Sequence, residues 1–127
     1  MSILSASKLI GAVLTQAVGK NVTAIFPVIA AQNAILPYIC YYRESVSQDP
    51  VKNGLPGASS AVIKIHCCTS DYGESVVLAE AVKAALDCKS YIVGELRMRS
   101  CTLAGASEAY DSDAFIQTLT FNVKINE

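Results

Sequence analysis

Tryptophan is absent, histidine occurs once as His66, and no C-x-x-C pair exists in the 127 residues. A single imidazole without paired cysteines leaves none of the usual zinc ligand sets. Neither sign of charge is in excess. Ten Lys and Arg against eleven Asp and Glu give a formal net charge of -1, with no basic block. That excludes a module that works by phosphate neutralisation, and no direct sequence-specific nucleic acid binding is expected. Long apolar runs are missing too. The longest uncharged stretch, Asn21 to Tyr42, is interrupted by Pro27, Gln32, Asn33, Pro37 and Tyr38, so no membrane helix is expected. There is no G-x-G-x-x-G and no glycine run leading into Lys-Ser or Lys-Thr, so no phosphate-cradling loop is expected.

What is present is enough apolar material for one core. The 52% hydrophobic content rules out a disordered chain, which needs low hydrophobicity and charge imbalance. The length fits a single domain over residues 1–127. Lys8 followed by Leu9 to Val18 superficially resembles a secretory signal. Its apolar positions recur on a helical stripe and Gln16 interrupts it, so it reads as a helix of the mature fold. The sequon at Asn21 then predicts nothing in a cytosolic protein. The five cysteines are odd in number and sit in apolar segments, as free thiols do in a reducing compartment. Cys40, Cys67, Cys88 and Cys101 are expected to be mostly buried.

Periodicity supplies the elements. Leu9, Ile10, Val13, Leu14 and Ala17 form one helical stripe in Ser5 to Val18, with Gly19 just past its end. Asn21 to Pro27 reads as a short extended piece, and Pro37 opens a strand over Tyr38 to Ser47. Gln48 to Ser60 holds Pro50, Gly54, Pro56 and Gly57 and is a connection, with its tip near Lys52. Ala61 to Thr69 is a strand. Asp71 with Glu74 makes a capping box for a helix to Asp87, whose stripe is Leu78, Ala81, Val82, Ala85 and Leu86. After a connection around Lys89 to Gly94, Leu96 to Ala104 is a strand, and Gly105 to Asp113 a polar turn region. Ala114 to Ile125 is the clearest strand: Phe115, Leu119, Phe121, Val123 and Ile125 share one face, with Gln117 the exception. The expected fold is α+β, a mainly antiparallel four- to five-stranded sheet with two helices packed on one face.

No group of residues assembles into an active site. His66 has only Cys68 two positions on and no acid on its strand, so it reads as a structural or surface histidine. Asp111 and Asp113 have the spacing of one corner of a calcium loop, but no glycine and no closing Glu complete it. No cofactor, metal or catalytic residue is expected. Candidate subunit contacts are of another kind. Tyr38, Tyr41 and Tyr42 fall on both faces of one strand, which suits a sheet covered on both sides. Arg97 and Arg99 point one way from theirs, and Glu108, Tyr110, Asp111 and Asp113 form an acidic turn of opposite charge. Lys52 lies in the polar connection.

The layout of N-terminal helix, Phe26-Pro27, the strand Pro37-Tyr38-Ile39-Cys40-Tyr41-Tyr42, the turn Asp71-Tyr72 and the helix Ala79 to Leu86 resembles the small tail-completion and tail-terminator proteins of long-tailed bacteriophages and prophages. The resemblance runs from about Leu9 to Ile125 and implies a structural protein without catalytic residues. It implies a ring, a hexamer in the family, at the head-proximal end of the tail tube. The implied partners are the tail tube protein and head-tail connector proteins, and the implied location is the bacterial cytoplasm during assembly and the virion tail afterwards. The five cysteines, with adjacent Cys67 and Cys68, depart from the family pattern. The alternative class is a small cytosolic single-domain enzyme or ligand-binding protein of the same α+β class. A pocket lined by His66 with Cys68 or Cys101 would favour it.

Overall fold

The computed structural model describes residues 3–48, 59–93 and 96–125. Its elements are α1 (Ala6–Val18), β1 (Ala24–Pro27), β2 (Tyr38–Gln48), β3 (Ser59–Thr69), α2 (Tyr72–Leu86), β4 (Lys89–Val93), β5 (Leu96–Asp111) and β6 (Ala114–Ile125). The six strands form one sheet in the order β1-β2-β3-β6-β5-β4. All neighbours are antiparallel except β1 and β2, which run parallel. The sheet is thus mixed and six-stranded, which corrects the expected four to five antiparallel strands.

The period-two pattern of β6 sets the inner face. Ile63 lies opposite Phe121, Ile65 opposite Leu119 and Ala61 opposite Val123, all buried. The buried stripe of α1 (Leu9, Ile10, Val13 and Leu14) and that of α2 (Leu78, Val82 and Leu86) join this one cluster. Both helices lie on the same face, and α1 touches β1 and β2 near one edge as well as β4 and β5 near the other. The sheet therefore curls around α1, as the right-handed twist of strands allows. The stripe of α1 ends on Val18, whereas Ala17 faces solvent.

Local chemistry explains the boundaries. The Asp71 carboxylate accepts from the Glu74 amide at 3.0 Å and caps α2, which is one of the two bonds of a capping box. After α2, Cys88 takes a left-handed backbone (φ 59) that turns the chain into β4, and this leaves its side chain exposed. Of the thiols expected to be mostly buried, only Cys67 and Cys101 are; Cys40 is half-buried, and Cys68 is buried. Burial pushes the Cys67 and Cys101 thiols up to about 12.

Two strands extend beyond the sequence expectation. Lys89 to Val93, read as a connection, is a strand paired with the start of β5. Gly105 to Asp111, read as part of a turn, continues β5 along β6, and the turn shrinks to Ser112 and Asp113 with positive φ of 51° and 64°. That is the two-residue hairpin geometry whose twist matches the flanking strands.

One close approach fixes α1 on the sheet. A methyl group at Gly11 would lie 2.2 Å from the Tyr41 hydroxyl and 2.7 Å from the ring carbon that bears it. Alanine at this helix position would gain about 1 kcal/mol of helix propensity, set against an overpacking cost of roughly 1–3 kcal/mol. In urea denaturation Gly11→Ala is expected to destabilise the wild-type protein and to stabilise a Tyr41→Ala background by about 1 kcal/mol. The same sign in both backgrounds would remove Tyr41 as the reason for this glycine. Leu119→Ala, at the centre of the inner face, should cost about 2–5 kcal/mol in the same assay.

Candidate functional site

The strand registers give every residue a height along the sheet. At the end with the β5–β6 turn lie Asp111 and Asp113, together with Glu108 and the α2 N-terminus with Asp71 and Glu74. An aromatic cluster is interleaved with these acids. Tyr110 packs on Phe115 with ring centroids 4.9 Å apart, and Tyr72 meets Phe115 edge-on at 6.0 Å. The Tyr72 hydroxyl donates to Glu108 Oε2 at 2.6 Å, and Gln117 Nε2 donates to the same oxygen at 2.9 Å. Gln117, the polar exception on an apolar face, also donates to Ser75 Oγ at 3.2 Å. These donors hold the Glu108 carboxyl below its ordinary range, Tyr72 first and Gln117 second. Tyr110 donates to Asp113 at 3.2 Å. The result is a hairpin end that is acidic, aromatic and held by α2, with only Asp111 to Ala114 beyond the last β3–β6 pair.

Arg97 and Arg99 sit at the other end, both exposed, around a shallow depression of about 470 Å³ with Tyr91, Ile92 and Met98. Arg97 and Asp111 belong to one strand and, allowing for its two bulges, lie roughly 40 Å apart along it. The opposite charges expected to steer one another are therefore at opposite ends of each subunit, and only two different copies can bring them together. Of the candidate contacts, the structure clusters Glu108, Tyr110, Asp111 and Asp113. Lys52 lies outside the described residues.

The tyrosines divide as alternation requires. Tyr41 points inward onto α1. Tyr38 and Tyr42 stand on the outer face, which no helix covers among the described residues. There Tyr38 meets Phe26 edge-on at 5.7 Å, and Tyr42 stacks on His66 at 5.6 Å. His66 Nδ1 is 2.8 Å from Thr118 Oγ1. Burial, reinforced by the Lys64 charge, lowers the His66 pKa. The ring is held between a hydroxyl and an aromatic, with no acid to orient it among the described residues, which is a packing role.

Sequence reasoning missed one surface feature. The loop between β1 and β2 carries no charge from Val28 to Leu36 and presents Val28, Ile29 and Ile35 with at least 71% of each exposed. Val28 adopts φ 67, which is rare for a β-branched residue. The uncharged run is visible in the sequence, but nothing in its pattern tells which of its side chains face solvent. A second, open groove of about 640 Å³ lies between this loop's base and α2, lined by Pro37, Thr69, Asp71, Glu74, Val77 and Leu78. None of His66, Cys68 or Cys101 lines it. No group of three or more metal-ligating side chains is found among the described residues, and no helix among them is long and apolar enough to cross a membrane.

The family profile of "Tail completion protein gp17" matches residues 7–126. The chain belongs to that family. No curated protein matches it by sequence. Among solved structures it is similar to a chain of the "Virion of native gene transfer agent (GTA) particle", with 20% identity and a TM-score of 0.65 over 91% of this chain and 86% of that one. Another solved chain is 12% identical with a TM-score of 0.60, over 95% of this chain and 96% of that one. At such identities these two likenesses show the fold. The family places the tail-completion protein among phage tail structural proteins.

The lowered His66 pKa gives a checkable pH dependence. The unfolded state takes up the proton more readily, so the contribution of His66 to stability is complete above the unfolded value of about 6.5 and fades as pH falls towards the folded value. Between pH 7 and pH 5 the melting temperature should drop more in the wild type than in His66→Gln. An NMR titration midpoint of the ring at or above about 6.5 would contradict the assignment.

Proposed function

We propose that this tail-completion protein acts as a ring subunit at the head-proximal end of a phage or prophage tail tube, where it completes the tube and supports head–tail joining. The observation that carries the reading, beside family membership, is the separation of charge along β5. Its acids gather at the β5–β6 turn end, and Arg97 and Arg99 lie at the other. A closed ring built from identical subunits needs two different patches that meet head to tail. Opposite charges on those patches favour the correct encounter and penalise like-on-like contacts. The likeness to a chain from a virion particle accords with assembly into a larger structure.

In this reading the acidic aromatic hairpin end and the Arg97 and Arg99 end are the two subunit patches. Tyr38 and Tyr42 on the open sheet face and the uncharged Val28 to Leu36 loop face other tail components, namely the tube or the connector. Lys52 and its connection join the same set. The ring is hexameric, and the protein passes from the host cytoplasm into the virion tail.

The double variant Arg97→Glu with Arg99→Glu tests this in a phage that depends on the gene. Both side chains are exposed, so the melting temperature should stay within a few degrees of the wild type. Infectious particles should fall sharply, and electron micrographs should show tails separated from heads. Normal head–tail particles at wild-type titre would remove the arginines from the working surface.

A further inference from the structure

We infer that the two edges of this sheet are complementary steps that interlock between neighbouring copies, so that the sheet continues from subunit to subunit. The inference rests on the ring reading and places the subunit contact at the sheet edges, where like ends of neighbouring copies lie level, in place of a meeting between the acidic end and Arg97 and Arg99. Each edge strand covers only part of the strand inside it. On one side β1 pairs with Tyr38–Tyr41 of β2, and the rest of β2 up to Gln48 has no strand beside it among the described residues. On the other side β4 pairs with Leu96–Cys101 of β5 and leaves the stretch from Leu103 to Asp111 without one.

The two gaps lie at opposite heights, each at the level of the other edge's outer strand. Following the registers across the sheet, Ala24 is level with Tyr38, Cys68, Ile116 and Ala109, and Pro27 with Tyr41, Ile65, Leu119 and Ala106. Set edge to edge without sliding, β1 of one copy therefore lies along Ala106–Ala109 of its neighbour, wholly within the gap. At the other height Lys89 is level with Cys101, Val123, Ala61 and Val46, and Tyr91 with Met98, Ile125, Ser59 and Gln48. The neighbour's β4 then begins along the open part of β2. In one placement β1 enters the gap beside β5, and β4 lies beside Val46–Gln48 of β2.

Direction agrees as well. Across the sheet β1, β2, β6 and β4 point one way and β3 and β5 the other. In the joined sheet β1 meets β5 antiparallel and β4 meets β2 parallel, both ordinary ladders. Isolated proteins blunt free edges with lysine, proline or bulges. The open stretch Gly105 to Asp111 has neither lysine nor proline and keeps an unbroken register to its turn. Its small residues Gly105, Ala106, Ser107 and Ala109 let another backbone approach. Two different edges meeting give a head-to-tail contact, the kind that a ring requires.

The test is a cysteine pair across the inferred seam, Ala24→Cys with Ala109→Cys. Level residues on paired antiparallel strands have Cα atoms about 4.5–5.5 Å apart, within disulfide range. Inside one chain the two positions are separated by four strand spacings, about 19 Å along the sheet, which no disulfide spans. Under mild oxidation the double variant should give a ladder of covalent oligomers on a non-reducing gel, lost on reduction and absent from the wild type and both single variants. The wild-type control accounts for exposed Cys88. Dimers from Ala109→Cys alone would place two copies on a twofold axis and overturn the head-to-tail seam. If no ladder forms while an amine-reactive reagent still links the wild type into oligomers, the seam is wrong and the ring reading stands. If neither reagent links subunits, both fail.

Discussion

The pairing of β3 with β6 is the constraint from which the rest of this molecule follows. It runs unbroken from Ser59 opposite Ile125 to Thr69 opposite Phe115 in the middle of the sheet. Its inner side is Ile63, Ile65, Leu119 and Phe121, the apolar floor on which both helices pack. A slip of one residue would exchange that floor for Lys64, His66, Thr118 and Thr120, so burial specifies the register strongly. Because β2 and β5 are paired to this central ladder, it also sets the heights of the acidic tip, the arginine end and both stepped edges.

Much of this was legible in the sequence where a pattern is local. The alternation of β6, the strand from Ala61 to Thr69 and the Asp71–Glu74 cap each state their own structure. What was not legible depends on partners distant in sequence. Gly105 to Asp111 has the composition of a turn, and it is a strand because β6 offers it a long, regular ladder. Lys89 to Val93 is too short to declare itself and is held by Cys101, Met98, Arg97 and Leu96 across the hairpin. The candidate surface was half legible. Tyr41 and its neighbours split across the faces as alternation demands. That the acids and arginines occupy opposite ends of one strand could be learned only from the length of β5.

Family membership and surface chemistry agree on a molecule made for assembly. The interior is complete and unremarkable, with no buried side-chain nitrogen or oxygen lacking a partner among the described residues. The exterior is where the chain departs from a self-sufficient monomer. It presents partly uncovered strand edges, an uncharged loop with three exposed branched side chains, and an acidic cluster at one end of β5 with Arg97 and Arg99 at the other. For an enzyme these would be liabilities. In the proposed ring they are the means of joining to other copies and to the tube.

The central claim is that one copy is an incomplete unit whose surfaces are satisfied by further copies. Size-exclusion chromatography with multi-angle light scattering, run at several loading concentrations, tests it most directly. The account predicts a discrete species whose mass is a fixed multiple of the 13.5 kDa chain and which does not grow without limit as concentration rises. A mass of one chain at every concentration would contradict it.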